Sequence, residues 1–178
     1  MSDITEWFGS NNNINKLYFH FDWLYKTTFW DKKKKKKYNY LTTVNWKYNK
    51  KNIKVLLCCC NDLKKQLHSN IEFSTNNNYK YKKSHIPILK SNLQKCIRRQ
   101  LTTLSIKTAI SLCLIIDENK NQIGLSELLR RICIIIIEDV YIMERFNTLF
   151  WLYILTTKRF FLNDIIIKYI IKSVAYIS

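Results

Sequence analysis

Glycine and proline are nearly missing from this chain: its 178 residues hold two Gly and one Pro. A loop that cradles phosphate needs glycines where the backbone must approach the ligand closely. Gly9 and Gly124 alone therefore leave no P-loop and no dinucleotide fingerprint, and there is no nucleophile elbow. Long apolar runs are missing too. No window reaches about 20 uncharged apolar residues, the length a membrane helix needs, and the nearest, Phe146–Leu155, is too short. The six cysteines are Cys58, Cys59, Cys60, Cys96, Cys113 and Cys133. One run of three and three single positions on apolar segments do not make a disulfide framework. Without a signal peptide, this pattern predicts a reducing intracellular compartment, cytoplasm or nucleus. Acidic residues are scarce as well: 13 Asp+Glu stand against 30 Lys+Arg, for a net charge of +17.

What is present is apolar and basic. A hydrophobic share of 47% excludes wholesale disorder and supports one domain, or a small domain with an appendage. The abundance of Lys, Asn, Ile and Tyr fits the coding bias of an AT-rich genome, such as that of a large DNA virus or a protist. The charge is uneven. Residues 1–90 hold 18 basic and 6 acidic residues, net +12, and residues 91–178 hold 12 and 7, net +5. A basic N-terminal half points to a polyanionic partner, nucleic acid or an anionic membrane surface. A solvated surface enriched in lysine by codon bias is the competing explanation.

Residues 1–31 are rich in aromatics. Leu17, Phe21, Leu24 and Thr28 recur at helical spacing and predict a helix over 14–30. Aromatics between lysines could stack on bases, although packing within the fold is their commoner use. Lys32–Lys37 is a run of six that cannot enter a core, so it is expected as a solvated loop or arm able to grip phosphates. Tyr40–Tyr48 and Asn52–Cys58 read as a two-stranded ribbon turned at Asn49, Lys50 and Lys51. Asn61 or Asp62 caps a short helix ending near His68. Asn76–Lys83 reads as a basic linker closed by Pro87.

From Lys90 onward the signals are helical. Ser91 or Asn92 is expected to cap a helix over 92–101, and Thr103–Ile116 forms the second. Met143–Thr156 forms the fourth. Asn163 caps the fifth, with Ile166, Tyr169, Ile170 and Val174 as its stripe. The third, Gly124–Val140, is central. Gly124 precedes it and Ser126 offers an oxygen to its first turn. At about 100° per residue, Leu125, Leu128, Leu129, Ile132 and Ile136 share one stripe, and Ile134 and Ile137 fall outside it. Asp139 lands on the core-facing side, where a carboxylate needs a cation. Lys95 and Arg98 are the candidate partners, and breaking such a pair would cost about 3–5 kcal/mol if it is buried. Glu138 is expected to face Arg131. Glu127 has the spacing to pair with Arg130 and Arg131.

Other chemistry finds little support. Glu138 and Asp139 diverge by about 100° on a helix and cannot share one substrate as an acid/base pair. Cys58, Cys60, His68 and His85 could be assembled into a metal site on paper, but the C-x-C spacing is not a common zinc knuckle, and unreactive thiols are expected instead. No metal, cofactor or catalytic residue is assigned.

One stretch has a familiar pattern. Lys95-Cys96-Ile97-Arg98, then Ala109 in a helix, then Leu129-Arg130-Arg131, six residues, and Glu138-Asp139-Val140 is similar to the C-terminal helical region of the replication-associated recombination ATPases. These are the clamp-loader-like AAA+ proteins of the RarA/MgsA family. Their pattern reads K-S-I-R, an Ala-rich helix, A-R-R, six residues, E-D-V-G. The resemblance covers residues 90–178 and not the ATPase core. The segment after Arg98 is longer here, the Gly-Ser-Asp after the first Arg is absent, and Tyr141 stands where the family has Gly. The resemblance implies a helical interaction domain that supports oligomerisation and association with replication forks and single-strand-binding protein.

The expectation is a mainly α protein: a basic, aromatic appendage over 1–87 holding a β-hairpin, and an all-α, five-helix domain over 88–178. Its expected role is a non-enzymatic, nucleic-acid-associated module of a DNA replication or repair assembly. Lys32, Lys33, Lys34, Lys35, Lys36 and Lys37 are the main phosphate grip, helped by Lys50, Lys51, Lys80, Lys82 and Lys83. The helical domain binds a protein partner or itself. The rival expectation is a structural or scaffold protein, such as a viral component, whose basic face meets acidic protein or anionic lipid.

Overall fold

The computed structural model describes residues 16–48, 51–68 and 81–178. The chain divides into two compact units, Met1–Lys65 and Gln66–Ser178. Residues 49 and 50 of the expected turn 49–51, and residues 76–80 of the expected linker 76–83, lie outside the described residues.

The first unit is built on a four-stranded mixed sheet. Strands β1 (Lys16–Asp22), β2 (Thr27–Asp31), β3 (Asn39–Tyr48) and β4 (Lys51–Cys59) lie in the order β2-β1-β4-β3. β1–β2 and β3–β4 are antiparallel pairs, and the central pair β1–β4 is parallel. The helix expected over 14–30 is therefore replaced by two strands. The helical spacing of Leu17, Phe21 and Leu24, four residues and then three, coexists with the alternation Leu17, Phe19, Phe21, and the alternation prevails. Those three are buried, whereas Leu24 is 75% exposed in the turn. Aromatic side chains favour a pleated surface where they pair across strands. Phe19 lies opposite Trp30, their rings stacked 3.9 Å apart. The expected ribbon is present as β3 and β4, but as half of a larger sheet. Helix α1 (Asn61–His68) follows and ends where expected, with Asn61 and Asp62 inside it rather than before it.

The second unit holds five α-helices among its described residues: α2 (Ile86–Arg98), α3 (Thr102–Cys113), α4 (Ile123–Ile135), α5 (Met143–Thr157) and α6 (Asp164–Ile177). α2 begins six residues before its expected start. Pro87 sits in its first turn, where its missing N–H costs nothing, and so opens the helix rather than closing a linker. Asn92 is an interior residue whose amide donates to Thr108 Oγ1 of α3 at 2.9 Å. At α6 the expected cap is in place: Asn163 Oδ1 accepts from the Ile166 N–H at 3.1 Å.

Helix α4 supplies the core of this unit. Leu125, Leu128, Leu129, Ile132, Ile135 and Ile136 are fully buried, with Trp151, Leu152 and Leu155 of α5 and Ile166, Ile170 and Val174 of α6. Full burial of each such side chain contributes about 1.5–3 kcal/mol. Ser126 does not cap α4. Gln122 precedes the helix, and Ser126 lies inside it, accepting from the Thr156 hydroxyl at 3.2 Å. The buried Gln122 amide donates to the Leu162 carbonyl and accepts from the Leu162 N–H, both at 2.9 Å, which ties the start of α4 to the approach to α6. Gly124 serves close approach rather than a boundary. A Cβ there would stand 2.0 Å from the Leu112 carbonyl oxygen and 2.8 Å from Ile115 Cβ.

After Ile135 the helix widens into a π-turn, Ile136–Val140, and ends at Tyr141 in the left-handed conformation, φ 56°. The turn begins within the isoleucine run, where β-branched side chains crowd the preceding turn. Widening shifts the phase beyond it. Glu138 is exposed and enters none of the ion pairs among the described residues, and Arg131 instead donates to Gln94 Oε1 at 3.1 Å. Asp139 is aimed at α2. Its Oδ1 lies 2.7 Å from Arg98 Nη2, and its Oδ2 accepts from Gln94 Nε2 at 2.9 Å. Lys95 is exposed and enters none of the ion pairs among the described residues. The Arg98 side chain is 56% exposed, so the pair is screened and is worth less than the buried-pair figure. Glu127 pairs with Lys90 and, at 3.8 Å, with Arg130.

Two substitutions test this packing. Gly124→Ala is expected to destabilise the protein by about 1–3 kcal/mol, the usual cost of overpacking, as a lower midpoint in urea unfolding. The Arg98 guanidinium, then the Gln94 amide, hold the Asp139 carboxyl below the usual carboxylate range. Its contribution to stability is thus present at neutral pH and lost as pH falls below the unfolded-state value through the lower folded one. Asp139→Asn is expected to melt below wild type at neutral pH, and the gap is expected to close in strong acid.

Candidate nucleic-acid interface

The strand order determines where the lysine run goes. β2 and β3 are the two edges of the sheet, with β1 and β4 between them. The segment that joins them, 32–38, must therefore cross the sheet. It crosses over the face that carries Tyr18, His20 and Asp22 of β1, and three anchors mark its path. The Lys35 N–H donates to His20 Nε2 at 3.3 Å. The Tyr38 hydroxyl donates to Asp22 Oδ2 at 2.8 Å, and Tyr38 is buried. Asp31, at the end of β2, accepts from the Lys33 N–H at 3.1 Å and pairs with the Lys35 ammonium at 2.9 Å. Lys37 lies 3.4 Å from Asp22.

All six lysines of the run are exposed on this anchored crossover. Their backbone is held from below while the ammonium groups of Lys33, Lys34 and Lys36 enter no ion pair among the described residues. Burial works to raise both carboxylates beneath, but hydrogen bonds, first from Tyr38 to Asp22 and from Lys35 to Asp31, hold them below the usual carboxylate range. Both stay ionised at neutral pH and hold the crossover down.

His20 is the buried element of this arrangement. Its ring stacks on Phe29 at 4.8 Å and meets Tyr38 edge-on at 5.0 Å. Burial pushes its pKa down to about 4, with Asp31 pulling the other way and Lys35 adding to the depression. The ring is therefore neutral at physiological pH. Because Nε2 accepts from Lys35, the proton of the neutral ring sits on Nδ1, which is buried with no hydrogen-bond partner. Cys58 and Cys59 lie buried at the same end of β4, and burial raises their thiols to about 11 and 12. Neither is a thiolate at neutral pH.

The same face continues as open basic sheet beyond the crossover. Alternation along β1 and β4 places Lys16 beside Lys54, with Asn45 of β3 next in register, and Lys47 lies opposite Asn52. Lys16, Asn45, Lys47, Asn52 and Lys54 are all exposed. Reading residues 14–30 as a helix missed Lys16, and reading Tyr40–Tyr48 and Asn52–Cys58 as an isolated ribbon left Lys47 and Lys54 without a role. The period-two placement of Lys16 with Tyr18, and of Asn52, Lys54 and Leu56, was the available signal.

Lys50 and Lys80 lie outside the described residues, as does the side chain of Lys51. Lys82 and Lys83 are exposed in the second unit, at the approach to α2. Of the metal set assembled on paper, Cys58 is buried and the side chain of His68 lies outside the described residues. Cys60 Sγ accepts from the Trp23 N–H at 3.4 Å, and His85 Nδ1 accepts from the Lys82 N–H at 2.8 Å. Among the described residues, no three His, Cys, Asp or Glu side chains converge, and no helix is long and apolar enough to cross a membrane.

Compared with protein families, with curated proteins and with solved structures, the chain matches none.

The His20 anchor has a pH signature. Its folded pKa lies below the ordinary 6.5, so the unfolded chain binds the extra proton first and stability falls as pH drops from about 6.5 towards 4. Wild type is expected to lose thermal stability across that window more steeply than His20→Phe. A ring that titrates near its ordinary value in an NMR pH series would contradict this anchor.

Proposed function

We propose that this protein is a non-enzymatic module that binds the phosphate backbone of nucleic acid through the sheet face of its first unit. The observation that carries the reading is the pair of basic banks on one face: the anchored run Lys32–Lys37 on one side, and Lys16, Lys54 and Lys47 on the other. A fixed backbone under exposed ammonium groups suits phosphate contact, because less chain entropy is lost on binding than from a loose arm. Such contacts carry no sequence information by themselves, so the binding is non-specific.

The helical unit is the docking half of the proposal, for a protein partner or a second copy, within a DNA replication or repair assembly. The resemblance of its Lys95–Arg98, Arg130-Arg131 and Glu138–Val140 pattern to the replication-associated recombination ATPases supports this. Arg98 and Asp139, two residues of that pattern, meet across α2 and the π-turn. Tyr141, where the family has Gly, adopts a positive φ, the conformation that glycine supplies most readily.

Fluorescence anisotropy with a labelled oligonucleotide across a salt series tests the reading. Neutralised phosphates release counterions, so affinity is expected to fall by orders of magnitude between about 50 and 200 mM salt. The triple variant Lys33→Gln, Lys34→Gln, Lys36→Gln is expected to weaken binding and flatten the salt slope by roughly 0.7–0.9 per lost phosphate contact. Salt-independent binding would overturn the mechanism. Tight binding to anionic vesicles that oligonucleotide cannot displace would favour the scaffold role instead.

A further inference from the structure

Between the two basic banks lies an apolar strip. Tyr18 of β1, Leu56 of β4 and Thr43 of β3 are neighbours in register across three strands and only half buried. Tyr40 stands one row further along, opposite Cys58, and is 46% exposed. In regular β3 pleating, residues 40 and 43 would face opposite sides. The register shift between Tyr40 and Thr42 brings them to one face, as the 2.8 Å hydrogen bond between their hydroxyls requires. Bulges commonly re-aim a side chain in this way, and this one holds an aromatic ring at the surface.

We propose that this strip is a stacking surface for the bases of a single-stranded nucleic acid. The proposal rests on the phosphate-binding reading above and narrows it to one strand state. Sheet spacings put Tyr18 and Tyr40 about 12 Å apart, on a diagonal across the intervening strand. The Lys16 ammonium lies 5.4 Å from the Tyr18 ring centre, beside the row that also holds Lys54. On the other side, the crossover lysines stand over the row of His20 and Cys58. Asp31, the acidic neighbour of Tyr18 in register, is paired with Lys35. A flat apolar floor between rows of cations suits a strand whose phosphates meet the banks while its bases lie on the floor. Aromatic platforms on open sheets bind splayed bases, whereas the base faces of a duplex are already stacked on each other.

The test uses the full-length protein and three labelled probes of equal length: a single strand, its duplex, and an abasic strand that keeps the phosphates, with an RNA single strand as a further arm. The single strand is expected to bind about tenfold or more tighter than the abasic strand and the duplex. Tyr40→Ala is expected to reduce single-strand affinity by about tenfold and leave the abasic strand unchanged, and Tyr40→Phe is expected to bind like wild type. Equal affinity for all probes, with salt dependence intact, would overturn the stacking surface and leave the phosphate reading standing. No binding to any probe at low salt would overturn both. The comparison of probes needs no variant, so it decides the matter even if Tyr40→Ala fails to fold.

Discussion

The parallel pairing of β1 with β4 is the constraint on which the first unit depends. It places the two hairpins side by side with β2 and β3 at opposite edges, so the chain between them has to pass over the sheet. Six consecutive lysines occupy that passage. A segment that would repel itself into an open arm is instead held against the sheet by Asp31, Asp22, His20 and Tyr38. Charge that no core could accept is thus displayed on a fixed surface. The buried neutral histidine beneath it is part of the cost, with one ring nitrogen left unpaired.

In the second unit the organising element is α4, and its termination matters as much as its burial. The π-turn after Ile135 changes the angular phase, and that change brings Asp139 to Gln94 and Arg98 while turning Glu138 out to solvent. An uninterrupted α-helix would have distributed those two carboxylates differently. The close approach at Gly124 and the two-way amide contact of Gln122 with Leu162 fix the other end of the same helix.

The helical unit was largely legible in the sequence because its signals are local. The buried stripe of α4, the Asn163 cap and the start of α5 can each be read within a few residues. Of the sheet only the β3–β4 hairpin was legible, because the rest of its information is pairwise and distant. Leu17, Phe21 and Leu24 satisfy a helical period as well as Leu17, Phe19 and Phe21 satisfy a strand period, and only the partner Trp30 decides between them. The parallel β1–β4 pair joins residues nearly forty positions apart, and no local pattern announces it. Ser126 was misread for a related reason: a hydroxyl near a helix start resembles a cap until the neighbouring helix supplies Thr156. The lysine run was legible as exposed charge, but its position over the sheet was not, nor were Lys16, Lys47 and Lys54 as its counterparts.

Lysine footprinting by mass spectrometry, on the full-length protein with and without a single-stranded oligonucleotide, tests the central claim most directly. The account predicts protection from acylation at Lys16, Lys47, Lys54 and within Lys32–Lys37, with Lys107, Lys168 and Lys172 of the helical unit reacting as before. Protection confined to the helical unit, with the sheet lysines unchanged, would contradict it and move the nucleic-acid contact to the other half of the chain.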